Sequence, residues 1–355
     1  MKFSQFSKEA AFAIEYVRQA AVLAKQIQEK TCGTAFTPHQ NAKGDVQKPL
    51  TMIPGAGFTK QDKSPVTIAD FAVQALIAGK LTEAFPQDPL VGEEDSAALR
   101  APDGKSILDQ VCQCLGPVLP SINVTPAKVC EWIDLGNAAI AKRFWTMDPI
   151  DGTKGFVRGD QFAVALALIE NGEVKVGALG CPNLTAASEL DPKGPGTLII
   201  AVRGEGTWHQ PLKDKNAAWK QLHTSNCTQP EQAVLLRSYE KSHLNLSHME
   251  PLMTDLGVKK GPIQMDSLAK YAVLASGTAD LMLRFPTDKH SHEYIWDQAA
   301  GQIAIEEAGG RVTDLDGKAL DYTQGRRLTA NRGVVLSNKH LHATVLEAVK
   351  KVLSA

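Results

Sequence analysis

The chain contains 355 residues with a mass of 38.2 kDa, which is enough for one large or two ordinary domains with a sizeable core. Its 38 Lys and Arg residues balance 39 Asp and Glu residues, so bulk electrostatic binding of nucleic acid is not expected. With 43% hydrophobic and 22% charged residues, and no stretch near the ~20 apolar residues that span a bilayer, a disordered chain or a membrane protein is not expected either.

The N-terminal residues and the cysteines favour a cytoplasmic location. Apolar residues near the N-terminus are interspersed with charged ones, unlike the continuous apolar core of a secretory signal peptide. Six cysteines are scattered, and the closest pair, Cys112 and Cys114, has C-x-C spacing in place of the C-x-x-C of redox or zinc sites. We therefore expect reduced thiols in a cytoplasmic protein.

The first part of the chain is predicted to be mainly helical. Apolar residues at helical spacing predict helices over residues 4–30 and 69–84, and helical patterns interrupted by Pro and Gly continue over 102–145. Between the first two helices, residues 31–66 contain eight Pro and Gly residues without periodicity. This composition predicts a mobile loop of the kind that often forms a lid.

After residue 155 the pattern changes to that of strands. The apolar runs QFAVALALIE and EVKVGALG flank Asn171-Gly172, a dipeptide that accepts positive φ at both turn positions, which predicts an antiparallel hairpin. TLIIAVRG and the residues after Gly206 predict further antiparallel strands. The first part is thus expected to pack helices on an antiparallel sheet, as an α+β domain over residues 1–224.

From about residue 225 strands and helices alternate. Strands are predicted at AVLLRS, ADLMLRF and VVLS, and helices over 243–256, 266–276 and 296–308, each followed by glycine. A hairpin turning at Asp316-Gly317 and a C-terminal helix complete the pattern. The alternation predicts a smaller α/β domain over residues 225–355.

The segment WTMDPIDGTKGF has the residue types of a metal and phosphate site. Asp148 and Asp151 lie three residues apart around a proline, so both carboxylates and the carbonyl of Ile150 can turn toward one point. Such oxygen-only ligation suits Mg²⁺. The amides of Gly152 and Thr153 would face an anion if they open a short helix. The alternative is an Asp-Pro turn followed by an Asp-Gly turn, since these residues favour turns in any protein.

Three further acids are candidates, each with an ordinary alternative. Glu93 lies in VGEED, where adjacent acids repel unless they are neutralised by a cation or solvated in a loop. Asp297 precedes an apolar helix in WDQAAG, where it could equally be the N-cap. Asp70 in SPVTIADF could be only a first-turn acid favoured by the helix dipole.

Taken in order, SPVTIADF, VGEED, DPIDGTKGF, GCPN and WDQAAG with EEAGG resemble the magnesium-dependent, lithium-sensitive inositol monophosphatase superfamily. The longer set WTMDPIDGTKGFVRGDQFAVALALIENG, GALGCPNL, YEKSH, MDSLAKY, LMLRFP and EYIWDQAAG is similar to the 3'(2'),5'-bisphosphate nucleotidases within it. The resemblance covers nearly the whole chain apart from residues 31–60 and parts of 100–130. It implies a layered αβαβα sandwich with the site between the two domains.

The resemblance also implies a role for particular residues. Two or three Mg²⁺ ions are expected on Glu93, Asp148, the Ile150 carbonyl, Asp151 and Asp297. A water-activating pair is expected at Asp70 and Thr153, with phosphate contacts at Gly152 and Thr153. Nucleotide contacts are expected at His243, Ser267, Lys270 and Arg284. Without the motifs, Lys270 would be assigned to an exposed helix face, Arg284 to a strand end and His243 to an ordinary loop.

The activity implied is Mg²⁺-dependent removal of the 3'-phosphate of 3'-phosphoadenosine 5'-phosphate and of its 5'-phosphosulfate analogue, by in-line attack of an activated water. One alternative is an inositol polyphosphate 1-phosphatase-like enzyme. A second is a haloacid-dehalogenase-type phosphatase, although its D-x-D-G-T spacing differs from the D-x-x-D-G-T found here. The third is a non-catalytic nucleotide sensor. The expected partner is a small 3'-phosphonucleotide, with no nucleic acid or membrane, and the working expectation is a monomer.

Overall fold

The computed structural model of the chain describes residues 2–32, 57–59, 65–239, 246–286 and 291–354. Most of the loop predicted over 31–66, and the whole of His243, lie outside the described residues. No helix within the described ranges is both long and apolar enough to cross a membrane.

The helices and strands follow in chain order. The helices of the described ranges are α1 (Ser7–Cys32), α2 (Ile68–Ala84), α3 (Ala97–Arg100), α4 (Lys105–Leu115), α5 (Pro126–Asp134), α6 (Thr153–Arg158), α7 (Leu246–Asp255), α8 (Ala269–Ala275), α9 (Ala299–Glu307) and α10 (His342–Ser354). The strands are β1 (Gly57–Thr59), β2 (Pro65–Thr67), β3 (Leu90–Gly92), β4 (Arg143–Asp151), β5 (Ala163–Glu170), β6 (Glu173–Cys181), β7 (Leu184–Thr185), β8 (Glu189–Leu190), β9 (Thr197–Val202), β10 (Gly206–Pro211), β11 (Lys220–Leu222), β12 (Leu235–Arg237), β13 (Ile263–Gln264), β14 (Leu281–Arg284), β15 (Gly310–Thr313) and β16 (Val334–Asn338).

The first large sheet has seven strands in the order β11-β10-β9-β6-β5-β4-β3. Its neighbours are antiparallel except β3, which runs parallel to β4. The predicted hairpin of β5 and β6 is confirmed, and its turn residues Asn171 and Gly172 have φ values of 55° and 76°. Those positive values explain why this dipeptide stands between two long apolar runs.

The second large sheet has five strands in the order β13-β12-β14-β16-β15. β12 is parallel to both of its neighbours, whereas β16 is antiparallel to β14 and β15. The predicted hairpin at Asp316-Gly317 is wrong. The turn forms, with the Gly317 amide donating to the Asp314 carbonyl oxygen at 3.1 Å. However, no strand follows the turn directly, because the next strand, β16, begins only at Val334.

Successive side chains on the strands of each large sheet point to opposite faces, and each face packs against a layer of helices. On β5, Val164, Leu166 and Leu168 pack with α1 and α2, whereas the intervening alanines face α8 and α9. On β14, Met282 faces α8 and α9, whereas its two leucine neighbours pack with α7 and α10. Because each sheet is covered by helices on both faces, the predicted layered αβαβα sandwich is confirmed.

The helical prediction over 102–145 is wrong at its C-terminal end. α5 ends at Asp134, and residues 143–145 form the start of β4. Phe144 and Trp145 are both buried but point into different hydrophobic layers, as the period of a strand requires. The last strand of the seven-stranded sheet ends at Leu222, and the first strand of the five-stranded sheet begins at Leu235. The division into domains 1–224 and 225–355 remains a prediction.

Candidate active site

A parallel strand pair brings the first two predicted ligands to one edge of the seven-stranded sheet. Gly92 at the end of β3 is paired with Met147 of β4. Glu93 and Asp148 are the residues that follow these two, so they leave the pair side by side. Since neighbouring strands lie about 4.8 Å apart, the two acids are neighbours although they are far apart in sequence.

A bulge in β4 explains how the D-x-x-D spacing turns two carboxylates to the same point. Asp148 is paired with Ala165 and Asp151 with Ala163, so three steps on β4 match two steps on β5. Residues three apart in a regular strand face opposite sides, and one extra residue restores the same side. The carboxylates of Asp148 and Asp151 accordingly converge, and with Asp297 their ligand atoms lie within 4.8 Å of one another.

Asp297 is far from Asp148 and Asp151 in sequence and lies just before α9. The N-cap of α9 is Gln298, so the alternative that Asp297 caps this helix is wrong. Gln298 is fully buried, and its side-chain amide donates to Glu293 at 3.1 Å. Its amide oxygen accepts a hydrogen bond from the Tyr271 hydroxyl. These contacts fix the backbone beside Asp297, so its carboxylate faces those of Asp148 and Asp151.

The electrostatics of this cluster favour a bound cation. Burial raises the pKa of Asp297 well above its ordinary value, with Arg284 opposing the shift and Asp151 adding to it. Burial likewise raises the pKa of Asp151, with Lys270 opposing the shift. Asp148 is buried and the other two aspartates are half-buried, and carboxylates this close repel one another unless a positive charge lies among them. All of the converging donors are oxygen atoms, so the donor set fits a hard divalent cation such as Mg²⁺.

The turn after β4 joins the cluster to α6. Gly152 has a φ of 86°, and α6 begins at Thr153, so the short helix on which the anion contact depended is present. The Thr153 hydroxyl donates to the Ile150 carbonyl oxygen at 3.0 Å. A carbonyl oxygen has two lone pairs, so this contact leaves Ile150 able to serve as a ligand. The phosphate contacts assigned to the Gly152 and Thr153 amides remain predictions.

Asp70 lies in the first turn of α2, as its alternative assignment predicted, and it also takes part in a capping box. One of its carboxylate oxygens accepts hydrogen bonds from the Thr67 amide at 2.8 Å and the Thr67 hydroxyl at 2.6 Å, which completes a capping box at the start of α2. β2 packs against both α2 and α6, so the regions of Asp70 and Thr153 are brought near each other. Their action as a pair remains a prediction.

The predicted nucleotide residues that are described lie beside the carboxylates. Ser267 approaches Gly152 so closely that a Cβ on Gly152 would lie 2.7 Å from the Ser267 Cβ. Lys270 is only 6% exposed, and its ammonium donates to the Ser238 hydroxyl at 3.2 Å. Burial lowers the pKa of Lys270 to about 8, although the nearby Asp151 opposes this shift. The exposed-face alternative for Lys270 is therefore wrong.

Several site residues were not identified from the sequence. Glu293 pairs with Arg284 at 3.1 Å, which holds that guanidinium beside Asp297. Arg158 at the end of α6 forms an ion pair with Asp266, which precedes Ser267. Glu293 could have been identified from the sequence, because it stands in the EYIWD segment that also contains Asp297. The ion pair of Arg158 with Asp266 leaves no local sequence signal, because its partners are far apart in sequence.

The layered fold and the carboxylate cluster at the junction of the two large sheets define a class of metal-dependent phosphatase. The chain belongs to the inositol monophosphatase family, whose model matches residues 5–354. It is thus an enzyme, a phosphatase of a metal-dependent family.

Its relatives and structural neighbours agree with this assignment. It is 38% identical to "3'(2'),5'-bisphosphate nucleotidase 1" of Candida albicans (strain WO-1), over 98% of this chain and 96% of the relative. It is 37% identical to the 3'(2'),5'-bisphosphate nucleotidase of Schizosaccharomyces pombe, over 98% and 97% of the two chains. A solved structure with the same fold is the Thermotoga maritima IMPase, with a TM-score of 0.60, 20% identity and 98% of each chain covered.

Proposed function

We propose that this enzyme removes the 3'-phosphate of 3'-phosphoadenosine 5'-phosphate to give AMP and inorganic phosphate, and acts likewise on the 5'-phosphosulfate analogue. The observation that carries the proposal is the convergence of Asp148, Asp151 and Asp297 within 4.8 Å. The names of relatives at 37–38% identity over nearly the whole chain support the nucleotide substrate. A cytoplasmic location and a small 3'-phosphonucleotide as the only partner belong to the same proposal.

In this proposal two or three Mg²⁺ ions are held by Glu93, the Ile150 carbonyl and the three aspartates. Mg²⁺, when bound, supplies Lewis-acid activation of the attacking water and neutralises charge that develops on the phosphate. The protein contributes the fixed positions of these oxygens, through the parallel β3 and β4 pair and the bulge after Asp148. Because the carboxylates already converge, little reorganisation is needed when the ions bind.

Thr153 and Asp70 are proposed to move the proton. The Thr153 hydroxyl, which donates to the Ile150 carbonyl oxygen in this structure, would turn to donate its proton toward the Asp70 carboxylate while it accepts a hydrogen bond from the attacking water. Asp70 is fully buried, and the Thr67 contacts hold its orientation. Support comes from β2, which packs on both helices that carry the pair. The amides of Gly152 and Thr153 would orient the reacting phosphate.

Lys270, Arg284, Ser267 and His243 are proposed to bind the rest of the nucleotide. Lys270 and Arg284 supply positive charge beside the carboxylates, and charge-assisted hydrogen bonds to a second phosphate are stronger than neutral ones. The Arg284 side chain is 28% exposed while paired with Glu293, so part of it remains accessible. Discrimination in favour of a bisphosphate follows from this second anion contact.

Phosphate release tests the proposal. The substrates are 3'-phosphoadenosine 5'-phosphate, its phosphosulfate analogue, adenosine 3'-monophosphate and an inositol 1,4-bisphosphate, each with Mg²⁺ and with a chelator. The expected result is Mg²⁺-dependent release that is fastest from the two nucleotides that carry a second anionic group at the 5' position. Faster release from the inositol phosphate would favour the inositol polyphosphate alternative. A trapped covalent phosphoenzyme, or no release at all, would contradict the proposed mechanism.

A further inference from the structure

The backbone on either side of Glu93 is held by two side chains from different parts of the molecule. After Glu93, the Glu94 amide donates to the Gln74 side-chain oxygen at 3.0 Å, and the Gln74 amide group donates back to the Glu94 carbonyl oxygen at 2.6 Å. Before Glu93, the Gly92 carbonyl oxygen accepts a hydrogen bond from the Arg326 guanidinium. Gln74 belongs to α2, whereas Arg326 lies in the segment between β15 and β16.

Arg326 also contacts the segment that carries Asp297. Its guanidinium lies over the Trp296 ring at 4.8 Å from the ring centre, and Trp296 directly precedes Asp297. The Arg326 carbonyl oxygen accepts from the Ile295 amide at 3.1 Å. A second guanidinium nitrogen donates to the Gly136 carbonyl oxygen at 3.1 Å. One half-buried side chain therefore contacts the residue before Glu93 and the residue before Asp297.

We infer that Arg326 is a positioning residue that holds the Glu93 segment against the Trp296–Asp297 segment, so that the carboxylates of Glu93 and Asp297 reach one cation site. The inference rests on the metal site of the proposed function. The guanidinium contacts Gly92, Gly136 and Trp296, so Arg326 acts through Glu93 and Asp297.

An arginine is the side chain that this position requires. Its planar guanidinium can donate in two directions to carbonyl oxygens while its face stacks on an aromatic ring. Lysine has the same charge but lacks the fixed fork and the flat face. Removing a residue that orients metal ligands commonly weakens metal binding or activity by about 10- to 100-fold. The structure thus predicts that geometry, and not charge alone, is the contribution of Arg326.

The neighbouring arginine supplies a matched control. Arg327 also stacks on an aromatic ring, at 3.8 Å from the centre of the Tyr294 ring, but its hydrogen bonds go to the His292 carbonyl oxygen and the Tyr294 hydroxyl. It therefore has the same side chain, a similar ring contact and no contact with the Glu93 segment among the described residues. Arg327→Gln should leave Mg²⁺ binding unchanged.

Mg²⁺ binding without substrate is the test, measured by titration calorimetry and by the rise in melting temperature with Mg²⁺. Arg326→Gln and Arg326→Lys should both bind Mg²⁺ about 10- to 100-fold more weakly than the unaltered enzyme. Melting temperatures in chelator verify that each variant is folded, and Arg326→Lys carries the measurement if Arg326→Gln unfolds. Wild-type affinity in either folded variant would overturn the inference. Failure of the unaltered enzyme to bind Mg²⁺ would instead overturn the metal site itself.

A double-variant comparison separates positioning from general support of the fold. If Arg326 acts through Glu93, adding Arg326→Gln to Glu93→Gln should weaken Mg²⁺ binding by much less than it does in the unaltered enzyme. A full and additive loss in the Glu93→Gln background would show that Arg326 does not act through Glu93.

Discussion

Replacing Gly152 by alanine should reduce both the stability and the activity of the enzyme. Gly152 has a φ of 86°, where a residue with a Cβ costs about 1–2 kcal/mol. An added Cβ would lie 2.7 Å from the Ser267 Cβ, closer than carbon atoms pack. Ser267 itself has a φ of 68°, so its backbone has little freedom to move away. Such overpacking typically adds about 1–3 kcal/mol.

Gly159 provides the matched control, because it ends the same helix that Gly152 begins. Its φ is 78°, and an added Cβ would meet no atom within 4 Å in the described structure. Gly159→Ala should therefore lower the free energy of unfolding only by the backbone term of about 1–2 kcal/mol. The difference between the two variants isolates the contact with Ser267.

Thermal unfolding and steady-state phosphate release check this prediction. For a chain of this length, 1 kcal/mol corresponds to about 1.3 °C in melting temperature. Gly152→Ala should melt about 1–4 °C below Gly159→Ala. It should also lose turnover, because its neighbours Asp151 and Thr153 would shift, whereas Gly159→Ala should turn over normally. Equal melting temperatures, or unaltered turnover in Gly152→Ala, would refute the argument.

Four further predictions follow from the site and the core. Asp148→Asn should lower kcat by about 10²–10³ while circular dichroism shows an intact fold. Li⁺ should inhibit to a degree that depends on the Mg²⁺ concentration, since a singly charged ion can occupy a carboxylate site without activating water; titrations at several Mg²⁺ concentrations that show no loss of rate would contradict this. Arg284→Ala should lower kcat/KM for the bisphosphate about 10- to 150-fold, and far less for a monophosphate, whereas equal losses would assign Arg284 to support of Glu293 and Asp297. Burial, with a contribution from Arg311, lowers the pKa of His342 to about 4, below its unfolded value of about 6.5. Stability that is present above pH 6.5 should therefore be lost as the pH falls toward 4, and the melting temperature of His342→Gln should vary less over this pH range.

The parts of the fold that local patterns determine could be predicted from the sequence. The hairpin of β5 and β6 combines two long apolar runs with the Asn171-Gly172 turn, and both signals agree with the structure. The turn at Asp316-Gly317 shows where this reasoning fails. An Asp-Gly dipeptide can form this local turn whether a strand or a long loop follows, so the residues after the turn decide whether a hairpin forms.

The site was predictable as a set of residues but not as a geometry. Asp148, Asp151 and Asp297 converge, yet the bulge between Asp148 and Asp151 depends on pairing with β5, which residue spacing alone does not encode. Partners such as Glu293 for Arg284 and Arg326 for the Glu93 segment join residues from separate parts of the fold. No short-range periodicity reports such long-range contacts.

The origin of the carboxylates in distant parts of the chain has a consequence for biosynthesis. Glu93, Asp148 and Asp151 emerge from a ribosome well before Asp297, which lies roughly 200 residues after Glu93. Until the last strands are made, the N-terminal half carries three acids without their fourth partner and without the arginines of the later half. If these four acids hold the cation as proposed, high-affinity binding becomes possible only once the chain is nearly complete, and a bound ion would then link parts of the chain that are synthesised far apart in time.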